Sequence, residues 1–327
     1  MAVKTVFSNE EFVQILAGYN LGGLQNAEPI SKGTVQTNFV LDTNKGKYIF
    51  RYYENRTKES VLFECDLIKY LKIHNYPCPN VFSNKQGELV GESKGKPYAI
   101  FEFIEGSHLE KPNEDQKRQL IERVAQLQNL TADYKPLYKE YRWNYDIELC
   151  EKLAQKEAQK INSKNAQEKL IWFKKELAKI DLPGSLPKGI CHCDFHFSNI
   201  FFKDEEFKAL IDFDDANYTY LTFDLVSLIN PFTKGFEWDT WQKFDREDNV
   251  FDFGEARKII QEYIKYRPLS DDEKRYLFDV FKLSIMLDCL WRFERGDVAN
   301  FYERRKIEYL NRLGRDEFYS QLFPGEN

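Results

Sequence analysis

The chain has 327 residues, 42% of them hydrophobic and 16% aromatic, and a formal net charge of −6. That is enough apolar material for one large two-lobed domain or two domains, and it excludes a disordered chain. The acidic balance argues against a nucleic-acid binder, whose footprint is a surplus of clustered Lys and Arg.

No apolar run approaches the roughly 18 residues that a membrane span needs. The opening MAVKTVFSNEEF has no apolar stretch after its first lysine, so no secretory leader is expected. The 6 cysteines are scattered and do not resemble a secreted disulfide framework, so a reduced, cytoplasmic protein is the expectation.

Residues 1–104 read as mixed, with short strands. TNFVLDTNKGKYIFRYYE gives two alternating segments about Asn44 and Gly46, a hairpin. In its second strand Tyr48, Phe50 and Tyr52 share one face, and Ile49 and Arg51 share the other. Val61, Cys65 and Ile68 recur at helical spacing and predict a helix from about Lys58 to His74, stopped by the prolines of NYPCPN. ELVGESKGKPYAIFEF reads as another hairpin, turning near Gly95.

After IEGSHLEKPNED the texture becomes helical. EDQKRQLIERVAQLQNL sets Leu120, Val124 and Leu127 on one stripe, and CEKLAQKEAQKINSKNAQEKLIWFKKELAKI reads as a solvated helix pair. Residues 189–213 are β-like, with NIFF and ALIDF around the turn KDEE. YLFDVFKLSIMLDCLWRF is apolar on nearly all sides and reads as a buried helix. The fold class expected is α+β, with a small antiparallel-sheet lobe of one main helix over residues 1–104 and a larger, mostly helical lobe over 105–327.

The chemistry concentrates in GICHCDFHFSNIFF, residues 189–202. A structural zinc takes about four ligands, commonly as two spaced pairs. Here Cys191, His192, Cys193 and His196 are crowded together with no second pair nearby, and the cysteines read as small apolar fillers.

The polar frame reads differently: His192-x-Asp194-x-x-x-x-Asn199, then IDFD with Asp212 thirteen residues past Asn199. Phosphoryl transfer needs a carboxylate to accept or orient the proton of an attacking hydroxyl. It also needs an amide oxygen and a second carboxylate to hold Mg²⁺ against the phosphates of ATP. The spacing matches a kinase catalytic loop, and IDFD stands where a kinase has its metal-binding aspartate.

This constellation resembles the aminoglycoside phosphotransferase-like family of small-molecule kinases, and the resemblance covers most of the chain. SKGTVQTN resembles the family's nucleotide loop, YAIFEFIEG its hinge, and DFDDANYTYLTFDLVSLI its metal-binding strand and following helix. The stretch from KESVLFECDL to FIEGSHL is most similar by pattern to the bacterial homoserine kinases of this fold.

The resemblance implies a protein-kinase-like bilobal fold, ATP between the lobes, and transfer of the γ-phosphoryl group to a hydroxyl. It implies Asp194 as the catalytic aspartate, His192 as the loop histidine bracing it, and Asn199 and Asp212 as metal ligands. It implies the backbone of Glu102 and Ile104 as adenine partners, Asp224 as a support behind the loop, and His196 as a contact near phosphate or substrate.

Arg51 stands where the kinase pattern has a lysine, and a guanidinium is able to clamp phosphate with two hydrogen bonds. Glu64 is its candidate ion-pair partner. An exposed strand arginine and a solvent-facing helix glutamate stay open as readings of the pair. Gly33, Thr34, Thr37 and Asn38 are the phosphate-loop candidates, or simply turn formers.

For the acceptor the candidates are Asp214, Asp215, Trp238, Asp239, Trp241, Asp288, Trp291 and Arg292. Carboxylates and tryptophans suit an amine, and an arginine suits a carboxylate; ordinary packing accounts for each as well. Homoserine or a related amino alcohol is the best substrate reading. An aminoglycoside, choline-like or sugar acceptor stays open, as does a catalytically silent nucleotide-binding module.

Overall fold

The computed structural model describes residues 4–31, 35–109, 112–195, 197–232, 251–291 and 293–325. The chain forms two compact units: Met1–Gln116 with Asp133–Arg142 and Phe197–Ala216, and Lys117–Ala132 with Trp143–His196 and Asn217–Asn327. The units interleave along the chain, whereas the sequence reading placed one cut after residue 104. Backbone hydrogen bonds give the reason. Ser107 and Phe202 exchange two, at 2.9 and 3.0 Å, and the Leu210 N–H donates to the Pro77 carbonyl at 2.9 Å.

The first unit is built on an antiparallel sheet of β1 (Leu24–Pro29), β2 (Thr37–Thr43), β3 (Gly46–Tyr52), β4 (Val81–Phe82), β5 (Gly91–Ser93) and β6 (Lys96–Glu102). The order is β1-β2-β3-β6-β4, with β5 also paired to β6. Alternation fixes its register. Phe39 and Leu41 of β2 and Phe50 and Tyr52 of β3 point into one aromatic core with Phe7, Phe12 and Leu16. The Phe7 ring meets Phe50 edge-on at 5.1 Å. Burying each such side chain contributes about 1.5–3 kcal/mol. A one-residue slip would exchange Phe50 for Arg51 in that core, so the pattern that buries Phe50 also presents Ile49 and Arg51 on the opposite face.

Helix α1 (Asn9–Ala17) covers the core face and opens with a capping box. Ser8 Oγ accepts from the Glu11 N–H, and Glu11 Oε2 accepts from the Ser8 N–H at 2.7 Å. The expected main helix is α2 (Lys58–Ile73), capped by Thr57 and burying Val61, Phe63, Glu64, Cys65, Ile68 and Leu71. The hairpin of β8 (Ile200–Lys203) and β9 (Glu206–Leu210) completes the unit. It turns through Asp204 and Glu205, both left-handed at φ 53° and 64°. That turn type favours Asn-Gly, so two acidic residues there carry backbone strain.

The second unit is mostly helical. It contains nearly all of α3 (Glu114–Leu130), then α4 (Ile147–Ile161), α5 (Lys164–Leu177), α6 (Thr222–Phe232), α7 (Phe253–Tyr263), α8 (Asp271–Arg275), α9 (Leu277–Leu290), α10 (Tyr302–Leu313) and α11 (Arg315–Leu322). Strands β7 (Lys188–Cys191) and β10 (Asn217–Tyr220) form its two-stranded antiparallel sheet. The apolar α9 is buried on all but a narrow face, as its composition required.

The α4–α5 pair is less solvated than expected. Phe173, Cys150, Ala154 and Ala158 are buried, and Lys169 is fully buried, donating to the carbonyls of Phe293 at 2.9 Å and Arg295 at 2.6 Å. No helix among the described residues is long and apolar enough to cross a membrane.

Candidate active site

The outward face of β3 places Arg51 in a cavity of about 470 Å³ within the first unit. Ile49, Ile68, Pro79, Phe101 and Ile211 give the cavity an apolar lining, and Glu102, Phe103 and Ile104 line it too. Polar groups line it as well, and they contact one another. Arg51 Nη1 donates to Asp212 Oδ1 at 2.7 Å, Nε donates to Asn38 Oδ1 at 3.1 Å, and Nη1 lies 3.6 Å from Glu64 Oε1. Asn199 lines the same cavity. Asn38, Arg51, Glu64, Glu102, Ile104, Asn199 and Asp212 are thus brought together out of residues scattered over more than half the chain.

Electrostatics follow from burial. Glu64 is 1% exposed, and desolvation lifts its carboxyl to about 7 against the pull of Arg51. Its Oε2 has no hydrogen-bond partner among the described residues. Burial disfavours the charge on Arg51, but Asp212, Tyr53 and Glu64 outweigh it and hold the guanidinium charged. Asp212 is left-handed at φ 65°, ψ 60°, a conformation costing a non-glycine residue about 1–3 kcal/mol. The Ile211 N–H donates to the Asn199 carbonyl at 2.8 Å, which ties the strand before Asp212 to the other candidate metal ligand.

The supports of this loop carry no local sequence signal. Arg142, 7% exposed, donates to the carbonyls of Ala216 at 2.9 Å, Ser60 at 3.1 Å and Phe213 at 3.3 Å, and to that of Asp214. It therefore rivets α2, which carries Glu64, to the segment that follows Asp212. Asp214, an acceptor candidate from sequence, does not line the cavity. It receives Arg56 Nε at 2.9 Å and Gln36 Nε2 at 2.8 Å, and Arg56 also reaches Asp215 at 2.9 Å. Burial raises the Asp214 carboxyl, but Arg56 and Arg51 overcome that and hold it below the usual range. A buried carboxylate so paired anchors the loop.

In the second unit, β7 runs into the loop carrying His192 and Asp194. Asp224, in the first turn of α6, accepts the His192 and Cys193 N–H groups at 2.9 Å each. Cys193 takes a left-handed φ of 65°, and Asn217 Nδ2 donates to its Sγ at 3.2 Å. His192 is fully buried, and its Nδ1 accepts the Asp194 N–H at 3.3 Å, so the ring braces the turn. Asp194 is exposed. Behind Asp224 stands Gln128, which takes a hydrogen bond from the Tyr263 hydroxyl and donates to the Leu221 carbonyl at 2.7 Å. Burial raises the Asp224 carboxyl despite the amides aimed at it.

Cys191 is buried, with its thiol pushed up by desolvation. No group of three or more metal-ligating side chains exists among the described residues. Asp288 is exposed on α9, and Trp291 is 56% exposed and stacked on Trp143 at 5.6 Å. The candidates Gly33, Thr34, His196, Trp238, Asp239, Trp241 and Arg292 lie outside the described residues.

The phosphotransferase enzyme family (APH) matches residues 26–258. The homoserine kinase of Bartonella tribocorum is 30% identical over 320 residues, spanning 95% of this chain and 90% of that protein. That of Parvibaculum lavamentivorans is 31% identical over 318 residues, spanning 95% and 89%. Among solved structures, the fold is similar to an amicoumacin kinase in complex with AMP-PNP, Ca²⁺ and Ami, at TM-score 0.61 and 16% identity over 96% of this chain and 94% of that one. It is similar also to the microcompartment-associated aminopropanol kinase, at TM-score 0.61 and 15% identity over 93% and 94%. The α+β, protein-kinase-like fold expected from sequence is the one observed, and the chain belongs to the phosphotransferase enzyme family as a small-molecule kinase.

Proposed function

We propose that this chain transfers the γ-phosphoryl group of ATP, with Mg²⁺, to the hydroxyl of homoserine or a closely related amino alcohol. The observation that supports it most is the gathering of Arg51, Asp212 and Asn199 in one cavity that is also lined by Ile49, Ile68, Pro79 and Phe101. A nucleotide presents both kinds of surface, an apolar base face and charged phosphates.

The donor set suits Mg²⁺, which takes a few hard oxygens from protein and the rest from phosphate and water. Asn199 and Asp212 are the residues that would hold it, and when bound it neutralises charge on the phosphates. The apolar wall packs the base, and the backbone of Glu102 and Ile104 takes its polar edge. Arg51 holds phosphate oxygens, and Glu64 keeps the guanidinium in place. The Asp194 carboxylate accepts the proton of the acceptor hydroxyl, and His192 and Asp224 fix the loop that presents it. Asp288 and Trp291 are the described candidates for the acceptor's ammonium group.

The homoserine assignment draws on the relatives, which carry that name at about 30% identity over nearly the whole chain. A coupled ADP-release assay across homoserine, other amino alcohols, choline, sugars and aminoglycosides tests it. Homoserine should give the highest kcat/KM. No acceptor-dependent release across the panel, together with Mg²⁺-independent nucleotide binding, would make the chain a silent binding module instead.

A further inference from the structure

We propose that His108 recognises the sugar of the bound nucleotide, its Nε2 accepting a hydrogen bond from a ribose hydroxyl. This rests on the nucleotide reading of the cavity and adds a residue to it. His108 lines the same cavity as Arg51, Asn199 and Asp212. Its ring stacks on Phe201 with centroids 4.4 Å apart, and its Nδ1 lies 3.0 Å from the Ile200 carbonyl oxygen. A carbonyl has no proton to give, so Nδ1–H is the donor. In a neutral imidazole the other nitrogen, Nε2, then presents a lone pair.

Along the chain His108 follows Glu102–Ile104, and its ring contacts Ile200 and Phe201, the two residues after Asn199. The base edge is at Glu102–Ile104, and the phosphate end is at Arg51, Asn199 and Asp212. From Ile104 the backbone runs to Gly106, where an added Cβ would lie 2.8 Å from the Phe202 carbonyl oxygen. Only a residue without a side chain permits that approach. Ser107 then pairs with Phe202 on β8, and His108 comes to rest on Ile200, one residue from Asn199. The sugar joins base to phosphates, so it must cross this interval. Its 2′- and 3′-hydroxyls are donors, and Nε2 is an acceptor on a ring oriented by the Ile200 carbonyl and Phe201.

The test measures binding of ATP, 2′-deoxyATP and 3′-deoxyATP to the whole chain by calorimetry, with KM and kcat alongside. One neutral hydrogen bond corresponds to about a 2–10-fold effect. The wild type should bind one deoxynucleotide more weakly than ATP by that factor. His108→Ala should lose the same factor for ATP and nothing for that analogue, with the change in KM and not kcat. His108→Phe keeps an aromatic ring for Phe201 and should behave like the alanine variant. Equal losses for all three nucleotides would make the ring a packing element, and no loss for any would remove it from the site; either overturns the inference. A wild type that binds no nucleotide would overturn the phosphotransfer reading and this inference with it.

Discussion

Glu64 offers a test of the site's electrostatics that needs no substrate. Its carboxyl is buried on α2, and its distance to Arg51, 3.6 Å, is too long for a direct hydrogen bond, so desolvation prevails and lifts it from 4.5 to about 7. Between those two pH values the folded chain keeps a proton that the unfolded chain has released. Stability contributed by this group is therefore complete below about pH 4.5 and is lost as pH rises through about 7. At about 1.4 kcal/mol per pH unit, the window carries roughly 3 kcal/mol. Glu64→Gln has no such proton to lose. Urea unfolding of both proteins from pH 4.5 to 8 should show the wild type losing about 3 kcal/mol relative to the variant as pH rises. A difference that stays constant across the range would refute the assignment of a raised carboxyl beside Arg51.

Arg142→Met removes a buried donor to the Ala216 and Ser60 carbonyls, while the Phe213 carbonyl keeps the Ala216 N–H, so it should destabilise by about 1–3 kcal/mol; no measurable loss in urea unfolding would contradict the rivet. Gly106→Ala forces a Cβ to within 2.8 Å of the Phe202 carbonyl oxygen, so the thermal midpoint should fall and the KM for ATP should rise, while unchanged values would deny the close approach. Asp224→Asn keeps only one carbonyl oxygen to accept the His192 and Cys193 N–H groups. It should lower kcat by about 10–100-fold with little change in nucleotide Kd, and a kcat equal to wild type would show that the loop holds itself.

Features written locally were legible in the sequence. The β2–β3 hairpin is visible in the two-residue spacing of Phe39 and Leu41 and of Phe50 and Tyr52, and that same alternation puts Arg51 on the cavity face. Helix α3 runs over the stretch EDQKRQLIERVAQLQNL because its apolar stripe has one period throughout. Helix α1 has a local signature too, the capping box of Ser8 and Glu11.

Other features have no local imprint. β10 is the polar NYTY and becomes a strand only by pairing with β7. Arg56 and Arg142 look like ordinary surface arginines until their partners, 158 and about 70 residues away, fold against them. The partners of Asp214 are hidden in the same way, since Arg56 and Gln36 lie more than 150 residues away in sequence. His108 escaped notice because a single histidine in a hinge says nothing until the cavity beside it is known.

A kinase of this kind must make a new phosphate ester. Phosphorus NMR of a mixture of the protein, Mg²⁺, ATP and homoserine reads that bond directly. The wild type should convert the γ-phosphate resonance into a phosphomonoester coupled to the homoserine side-chain methylene, and Asp194→Asn should not do so on the same timescale. Only inorganic phosphate from the wild type, or the same ester from both proteins, would contradict the account.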